Sequence, residues 1–351
     1  MRKLALMLAQ CLLLAGCTGL PQPREMGEMA LLRTVGVDGM RDGVILTVST
    51  GPRTAGVEGA KEAPLILRGE GRSLSAAAFG LGQKSDKTVF FGYVDKLLLG
   101  EDPGDILDCL GWFAQEGELG LGANVWLLRG GSAAAAVEGG GEQGVEGRLS
   151  ALELDAELGR SPMTRTAGEI YSALLDRGCA FLPALRMEEE LTSAGYGILK
   201  GEEMVGFLDG DAARGLELLA ERPMAGMIEV VLPENRASLR VTGAQLDCRP
   251  IFEGDSLQRL ELTCRVELKG EQWREPPATW EREEAGKAAE QALRGNMESA
   301  LRTLKEWGTD CVGIGSRAAI AAPWYRDVFE ENWSDLFSNV DYHIEVEGSL
   351  N

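Results

Sequence analysis

Leu260, Leu262, Cys264, Val266 and Leu268 alternate with Glu261, Thr263, Arg265, Glu267 and Lys269. A period of two is the signature of a half-buried antiparallel strand. The runs Met227–Leu232 and Ser238–Leu246 are its expected partners. Further on the period changes. Ala285, Ala288, Ala289, Ala292, Leu293, Met297, Ala300, Leu301 and Leu304 recur at helical spacing. This predicts one long amphipathic helix from Thr279 to Trp307, with Gly308 as its stop. Val340, Tyr342, Ile344 and Val346 then alternate with Asp341, His343, Glu345 and Glu347, a final strand. Strands and a long helix in this order make the second half α+β.

The first half is less regular. Met29–Val37 and Val44–Ser49 are β-rich runs joined by a turn of Gly and Asp residues, which suits a hairpin. Thr50–Pro64 is rich in Gly and Pro and reads as a loop, followed by a strand at Leu65–Arg68. Ser73 caps a small-residue helix that runs to Gly82. Val89–Leu99 is strongly apolar and is expected as one buried strand. Asp102, Pro103 and Asp105 open a helix ending near Ala114, since acids and proline favour a helix N-terminus. Asn124–Leu128 is the next strand. Gly130–Gly147 is dominated by Gly, Ala and Glu and reads as a flexible connector. Leu149–Leu158 and Thr166–Asp176 read as helices, and Gly195–Lys200 with Met204–Leu208 as a hairpin. The expected fold class is therefore α+β and multidomain, each domain a mixed or antiparallel sheet flanked by helices.

The N-terminus carries an address. Arg2 and Lys3 precede an apolar run, Leu4–Leu14, of about 11 residues. That is short of the roughly 20 residues a membrane-spanning helix needs, and it fits a secretory signal peptide. The run ends Leu14-Ala15-Gly16-Cys17, which resembles the bacterial lipobox. There the Cys thiol takes a diacylglycerol and cleavage falls just before it, so residues 1–16 are read as a lipoprotein signal peptide and Cys17 as the lipidation site. Each buried methylene contributes about 0.8 kcal/mol, so two or three acyl chains anchor firmly.

Composition narrows the partners. The formal net charge of the 351-residue chain is −20. Nucleic acid needs a basic patch and anionic lipid attracts basic segments, so neither is an expected partner surface. The membrane contact is expected through the lipid anchor alone. Cys109, Cys179, Cys248, Cys264 and Cys311 are scattered without a C-x-x-C spacing. They read as small buried apolar residues, with a Cys248–Cys264 pairing across neighbouring strands left open.

No set of residues assembles into an active site. His343 is the only histidine and falls on the polar face of the last strand, and no G-x-S-x-G elbow is present to use it. GGGEQG, from Gly139 to Gly144, lacks the strand–helix setting and the Lys-Ser/Thr of a phosphate loop. Glu188–Glu190 and Glu281–Glu284 read as solvated helix faces. Gly313-Ile314-Gly315 reads as a tight turn. Trp307, Trp324, Trp333, Tyr325, Phe329 and Phe337 form an aromatic-rich end, read first as core and second as a partner surface. No catalytic residue, no cofactor and no metal site is expected.

Four stretches together resemble the Ger(x)C family, the lipoprotein C subunits of spore germinant receptors. The first is Cys17 followed by Arg24-Glu25-Met26, ALLRTVGVD and VILTVST. The second is Arg68–Leu74 with KTVFFGYVDKLLLGED and GDILDCLGWF. The third is GILKGEEMVGFLDGDAARGLELL, similar to the family's domain junction. The last is LRTLKEWGTDCVGIGSRAAIAAPWYRDVFEENWSDLFSNVDYHIEVEGSL, which follows the family's ending. The chain departs from the family at Tyr93, where His is frequent, in Gln115–Gly122 and in Gly130–Gly147. The resemblance implies several small domains, each a sheet flanked by helices: 17–205 as the N-terminal region, open to division at a connector near 130–148, and 206–351 as the C-terminal domain. It implies a non-enzymatic subunit on the outer face of the spore inner membrane. Its partners would be two polytopic membrane subunits, and its role receptor assembly or signalling. A solute-binding lipoprotein of the cell envelope is the alternative, for which a ligand cleft and βαβ repeats are expected.

Overall fold

The computed structural model describes residues 28–55, 60–331 and 333–350. Residues 1–16, read above as a signal peptide, Cys17 and Arg24-Glu25-Met26 lie outside the described residues. The described chain begins with β1 (Met29–Leu31), the antiparallel pair β2 (Thr34–Met40) and β3 (Gly43–Ser49), a short ribbon of β4 (Arg53–Ala55) and β5 (Ala60–Glu62), and β6 (Ile66–Gly71). Next come α1 (Leu74–Lys84), β7 (Thr88–Phe90), β8 (Lys96–Leu99), α2 (Ile106–Gln115), β9 (Asn124–Leu128), α3 (Ala133–Glu138), α4 (Gly144–Glu157) and α5 (Ala167–Arg177). The strands β10 (Cys179–Met187), β11 (Leu191–Lys200) and β12 (Glu203–Leu208) finish this half.

Local chemistry sets these boundaries. The Ser73 hydroxyl accepts the Ala76 N–H at the start of α1, and the Asp105 carboxylate accepts the Asp108 N–H at the start of α2. Thr166 and Glu169 form a reciprocal capping box on α5, which stops at the left-handed Gly178. The strands join into one eight-stranded sheet in the order β12-β11-β10-β9-β8-β2-β3-β6. Its four central strands run parallel and both flanks are antiparallel. Helices α1, α2 and α5 bury Leu81, Leu110, Phe113 and Ile170 against one face. On the other face α3 and α4 cover Leu98, Trp126 and Leu185 with Ala133, Val137 and Leu149.

Several sequence expectations change here. Gly130–Gly147 is not a flexible connector: α3 and the start of α4 lie in it, and its small residues allow close packing. Gly36, on β2, already sits so near that an added Cβ would meet Ala133 and Val137 at 3.2 Å. The strands that precede and follow the Gly130–Gly147 stretch along the chain, β9 and β10, are sheet neighbours. Val89–Leu99 breaks into β7 and β8, with a turn at Gly92–Tyr93. Glu188–Glu190 forms the bend between β10 and β11, not a helix face, and the Thr50–Pro64 loop carries the β4–β5 ribbon. Strand β10 has no sequence signature of a strand, because Cys179–Leu185 is buried on both faces and shows no alternation. Pro183 also breaks its run, at a register shift against β11.

The second half follows its pattern closely. It contains α6 (Gly210–Leu219), β13 (Ile228–Val231), β14 (Arg236–Glu253), β15 (Ser256–Trp273), α7 (Thr279–Trp307), α8 (Ile314–Ala321), α9 (Arg326–Glu331), α10 (Trp333–Asn339) and β16 (Asp341–Leu350). The sheet order is β13-β14-β15-β16, antiparallel except that β16 runs parallel to β15. One face is covered by α7 through Ala285, Ala289, Leu293, Met297 and Leu301, and α7 ends at the left-handed Gly308. The opposite face is exposed and laced with ion pairs, Arg265 to Asp247 and Glu347 among them. Within Glu281–Glu284 one residue departs from the solvated reading: Glu281 is buried and accepts the Ala278 N–H at 2.7 Å. Among the described residues no helix is long and apolar enough to cross a membrane.

The halves share a core. Phe181, Tyr196 and Ile198 of the large sheet pack with Leu216, Leu239, Leu262 and Leu293 of the C-terminal half in one continuous cluster.

Candidate functional site

Two buried acids mark the seam between the halves. Tyr196, on β11, donates its hydroxyl to Glu217 Oε1 at 2.7 Å and accepts the Met163 N–H at 2.8 Å. Glu217 Oε2, on α6, accepts the Ala225 N–H at 2.7 Å. Three segments of the chain are thus tied by one carboxyl. Glu217 is 2% exposed, and this desolvation raises its pKa to about 7, against the opposing pull of the Tyr196 and Ala225 hydrogen bonds and of Arg214. Burial, with Glu217 adding to it, also pushes the Tyr196 phenol well up.

Asp310 is the second acid. Its Oδ1 accepts the Ile314 N–H at 2.8 Å, and its Oδ2 accepts Gly315 N–H at 2.7 Å and the Trp333 indole N–H at 2.8 Å. One carboxylate therefore starts α8 and fixes α10 against it. Gly313 is left-handed, at φ 79°, which is why the Gly-Ile-Gly run makes the sharp turn expected of it. Gly315 must also be bare, because a Cβ there would meet the Trp333 ring at 2.4 Å.

Beside Asp310 the two halves leave a cleft of about 930 Å³, lined by Arg177, Lys200, Ile320, Phe329 and Trp333 among others. Lys200 donates to the Trp307 carbonyl at 3.1 Å. Arg177 is exposed, and its side chain makes no hydrogen bond or ion pair among the described residues. The aromatic-rich end divides in two. Phe329 and Phe337 are buried, and Tyr325 stacks on Phe252 at 3.8 Å between centroids. Trp307 fills the space over Gly206 of β12, so it belongs to the seam. Trp324 is 87% exposed and Ile320 81%, which leaves an apolar rim beside the cleft.

The remaining sequence candidates are dispersed. His343 is exposed on β16, in register with Glu261 of β15. Cys248 stands opposite Leu262 and Cys264 opposite Leu246, and both are free thiols. Burial pushes Cys109, Cys179, Cys248 and Cys264 up to about 12, and Cys311 well up. At neutral pH these thiols stay protonated, which is the unreactive form. Neither Glu217 nor Tyr196 was singled out from the sequence. The signal available was an acid inside the apolar run Leu216–Leu219 of a helix. Asp310 was not singled out either; it stands three residues before the Gly313-Ile314-Gly315 turn.

The chain matches two family descriptions in order. "Spore germination protein N-terminal domain" matches residues 22–187, and "Spore germination B3/ GerAC like, C-terminal" matches residues 194–351. A solved structure titled "Crystal Structure of the GerBC protein" is similar with a TM-score of 0.59 at 17% identity, over 90% of this chain and 96% of that one. At that identity the likeness is one of fold. No curated protein matches the chain.

Proposed function

Because the chain belongs to the GerAC-like family of spore germination proteins, which covers both of its halves in order, we propose that it is the lipid-anchored C subunit of a nutrient germinant receptor. In this reading Cys17 carries the lipid and the acidic body stands on the outer face of the spore inner membrane. Two polytopic membrane subunits are its partners, and its work is receptor assembly or signalling, without catalysis. The observation that carries the reading is the paired family match. The lipobox supports the anchor, and the exposed Trp324–Ile320 rim supports a binding role. An affinity pull-down of the tagged chain from detergent-solubilised spore membranes, read by mass spectrometry, should recover two polytopic membrane proteins. Recovery of the chain alone from spores that contain it in quantity would refute the receptor reading. Cys17→Ala should release the chain from membranes lacking those partners, and retention there would refute the anchor.

A second reading, a solute-binding lipoprotein, is favoured by the cleft at the seam and by the parallel strands β2, β8, β9 and β10 with their helical crossovers. Those are two of the features expected of it. Calorimetric titration with amino acids and sugars would show saturable binding altered by Arg177→Ala if this reading holds, and no heat if it does not.

A further inference from the structure

Strand β16 is an edge of the C-terminal sheet, paired only with β15. Along a strand, N–H and C=O groups point alternately to the two sides. Two contacts show which residues of β16 face outward. The Val340 carbonyl, just before the strand, accepts Lys305 Nζ at 2.7 Å. The Gly348 N–H donates to Glu290 Oε1 at 2.8 Å. Both partners come from α7, not from β15. The even-numbered positions between them, Tyr342, Ile344 and Val346, therefore present their backbone groups at the same open edge. Among the described residues β16 has no sheet neighbour on that side, and those groups make no backbone bond outside the sheet. Helix α7 closes both ends of the edge and leaves its middle free.

A groove of about 560 Å³ runs beside this edge, its floor formed by Leu301, Tyr342 and Ile344 and its rim by Glu298, Arg302, Lys305 and Glu306 of α7 with Ser338 and Asp341. An edge strand flanked by a helix, with a groove between, is the arrangement that accepts an extended peptide as an added strand. The outward side chains select the occupant. Asp341, His343, Glu345 and Glu347 form a row on the exposed face. Glu347 is paired with Arg265, whereas Asp341 and Glu345 have no ion pair among the described residues. A second copy docking edge to edge would bring two acidic rows together, and like charges across strands are destabilising. A strand with cations at alternate positions would pair with them instead.

We infer that the open edge of β16 receives an extended peptide segment carrying lysine or arginine at alternate positions, with apolar residues between them turned into the groove against α7. This goes beyond the receptor reading and does not depend on it, since it rests on the edge and its charges alone.

The test uses the full chain in detergent and fluorescein-labelled ten-residue peptides, followed by anisotropy at physiological salt. One peptide alternates Val and Lys. The second alternates Pro and Lys, with the same charge but without the N–H groups that a ladder needs. The Val/Lys peptide should bind about tenfold or more tightly than the Pro/Lys peptide, a margin set by the backbone pairing and not by charge. Hydrogen exchange should show the Tyr342, Ile344 and Val346 amides unprotected in the free chain and protected in the complex. Glu345→Lys, a change at an exposed position outside the core, should weaken the Val/Lys peptide severalfold. Equal binding of the two peptides would overturn the inference in favour of diffuse attraction to an acidic surface. Protection of those amides in the free chain, with a dimer in sedimentation, would overturn it in favour of a second copy.

Discussion

Glu217→Gln should remove a defined part of the pH dependence of stability. The carboxyl is 2% exposed and its folded pKa is raised from 4.5 to about 7, chiefly by desolvation. Proton binding therefore favours the folded state between those two values. Below pH 4.5 the group is protonated in both states and costs nothing. As pH rises through the window the unfolded chain ionises first, and stability falls until the folded pKa is passed. Each tenfold difference in proton affinity is about 1.36 kcal/mol, so the full loss is about 3 kcal/mol above pH 7. The groups facing the carboxyl are Tyr196 of β11, the Ala225 N–H, and Arg214 of its own helix, with Arg165 acting on Tyr196. Glutamine keeps the shape and can still accept from Ala225, but it cannot ionise. Urea unfolding followed by tryptophan fluorescence at pH 5, 6, 7 and 8 would give both curves. The remaining titrating groups are common to both proteins and cancel in the difference. The variant should gain on the wild type by about 2.5 kcal/mol between pH 5 and 8, since the first part of the loss falls below pH 5. Parallel curves would refute the reasoning, because they would mean that Glu217 is solvated or that its hydrogen bonds outweigh its burial.

Three further outcomes are expected. Asp310→Ala strips the acceptor from two helix N–H groups and the Trp333 indole at once. It should cost about 3 kcal/mol or more in urea unfolding, with Asp310→Asn costing less. Gly215→Ala would place a Cβ 2.0 Å from the Asn296 carbonyl oxygen. Backbone cannot rotate away, so α6 and α7 must separate, at about 1–3 kcal/mol on the same assay. A thiol reagent at pH 8 should leave Cys109, Cys179, Cys264 and Cys311 unmodified in the folded chain and label all of them in urea, since all four are buried and kept protonated. Rapid labelling of any of them without denaturant would contradict the burial.

In the C-terminal half the sheet strands and the long helix were legible, whereas the short helices α8, α9 and α10 were not assigned. The helix expected from Thr279 to Trp307 is α7 as observed, and the final strand and its alternation are β16. Those elements bury one face only, so period and burial coincide. The N-terminal half was less legible because its parallel strands lie between two helical layers. β10, buried on both faces, shows no period to read, and the Gly/Ala stretch that becomes α3 and α4 looks like a linker to any rule based on composition. The candidate site was hidden for a related reason. Glu217 and Asp310 are ordinary acids in an acidic chain, and only the fold makes them special by removing water.

By itself, then, the sequence determined the one-sided elements, the acidic character and, through the order of its motifs, the family. These are properties of local order along the chain: side-chain period, capping residues and charge. The tertiary structure decided which acids are desolvated, where Trp307 and Gly206 meet, and which strand is left with an open edge. Those depend on pairs such as Tyr196–Glu217 and Gly348–Glu290, distant in sequence, whose contact exists only after the two halves and α7 have packed.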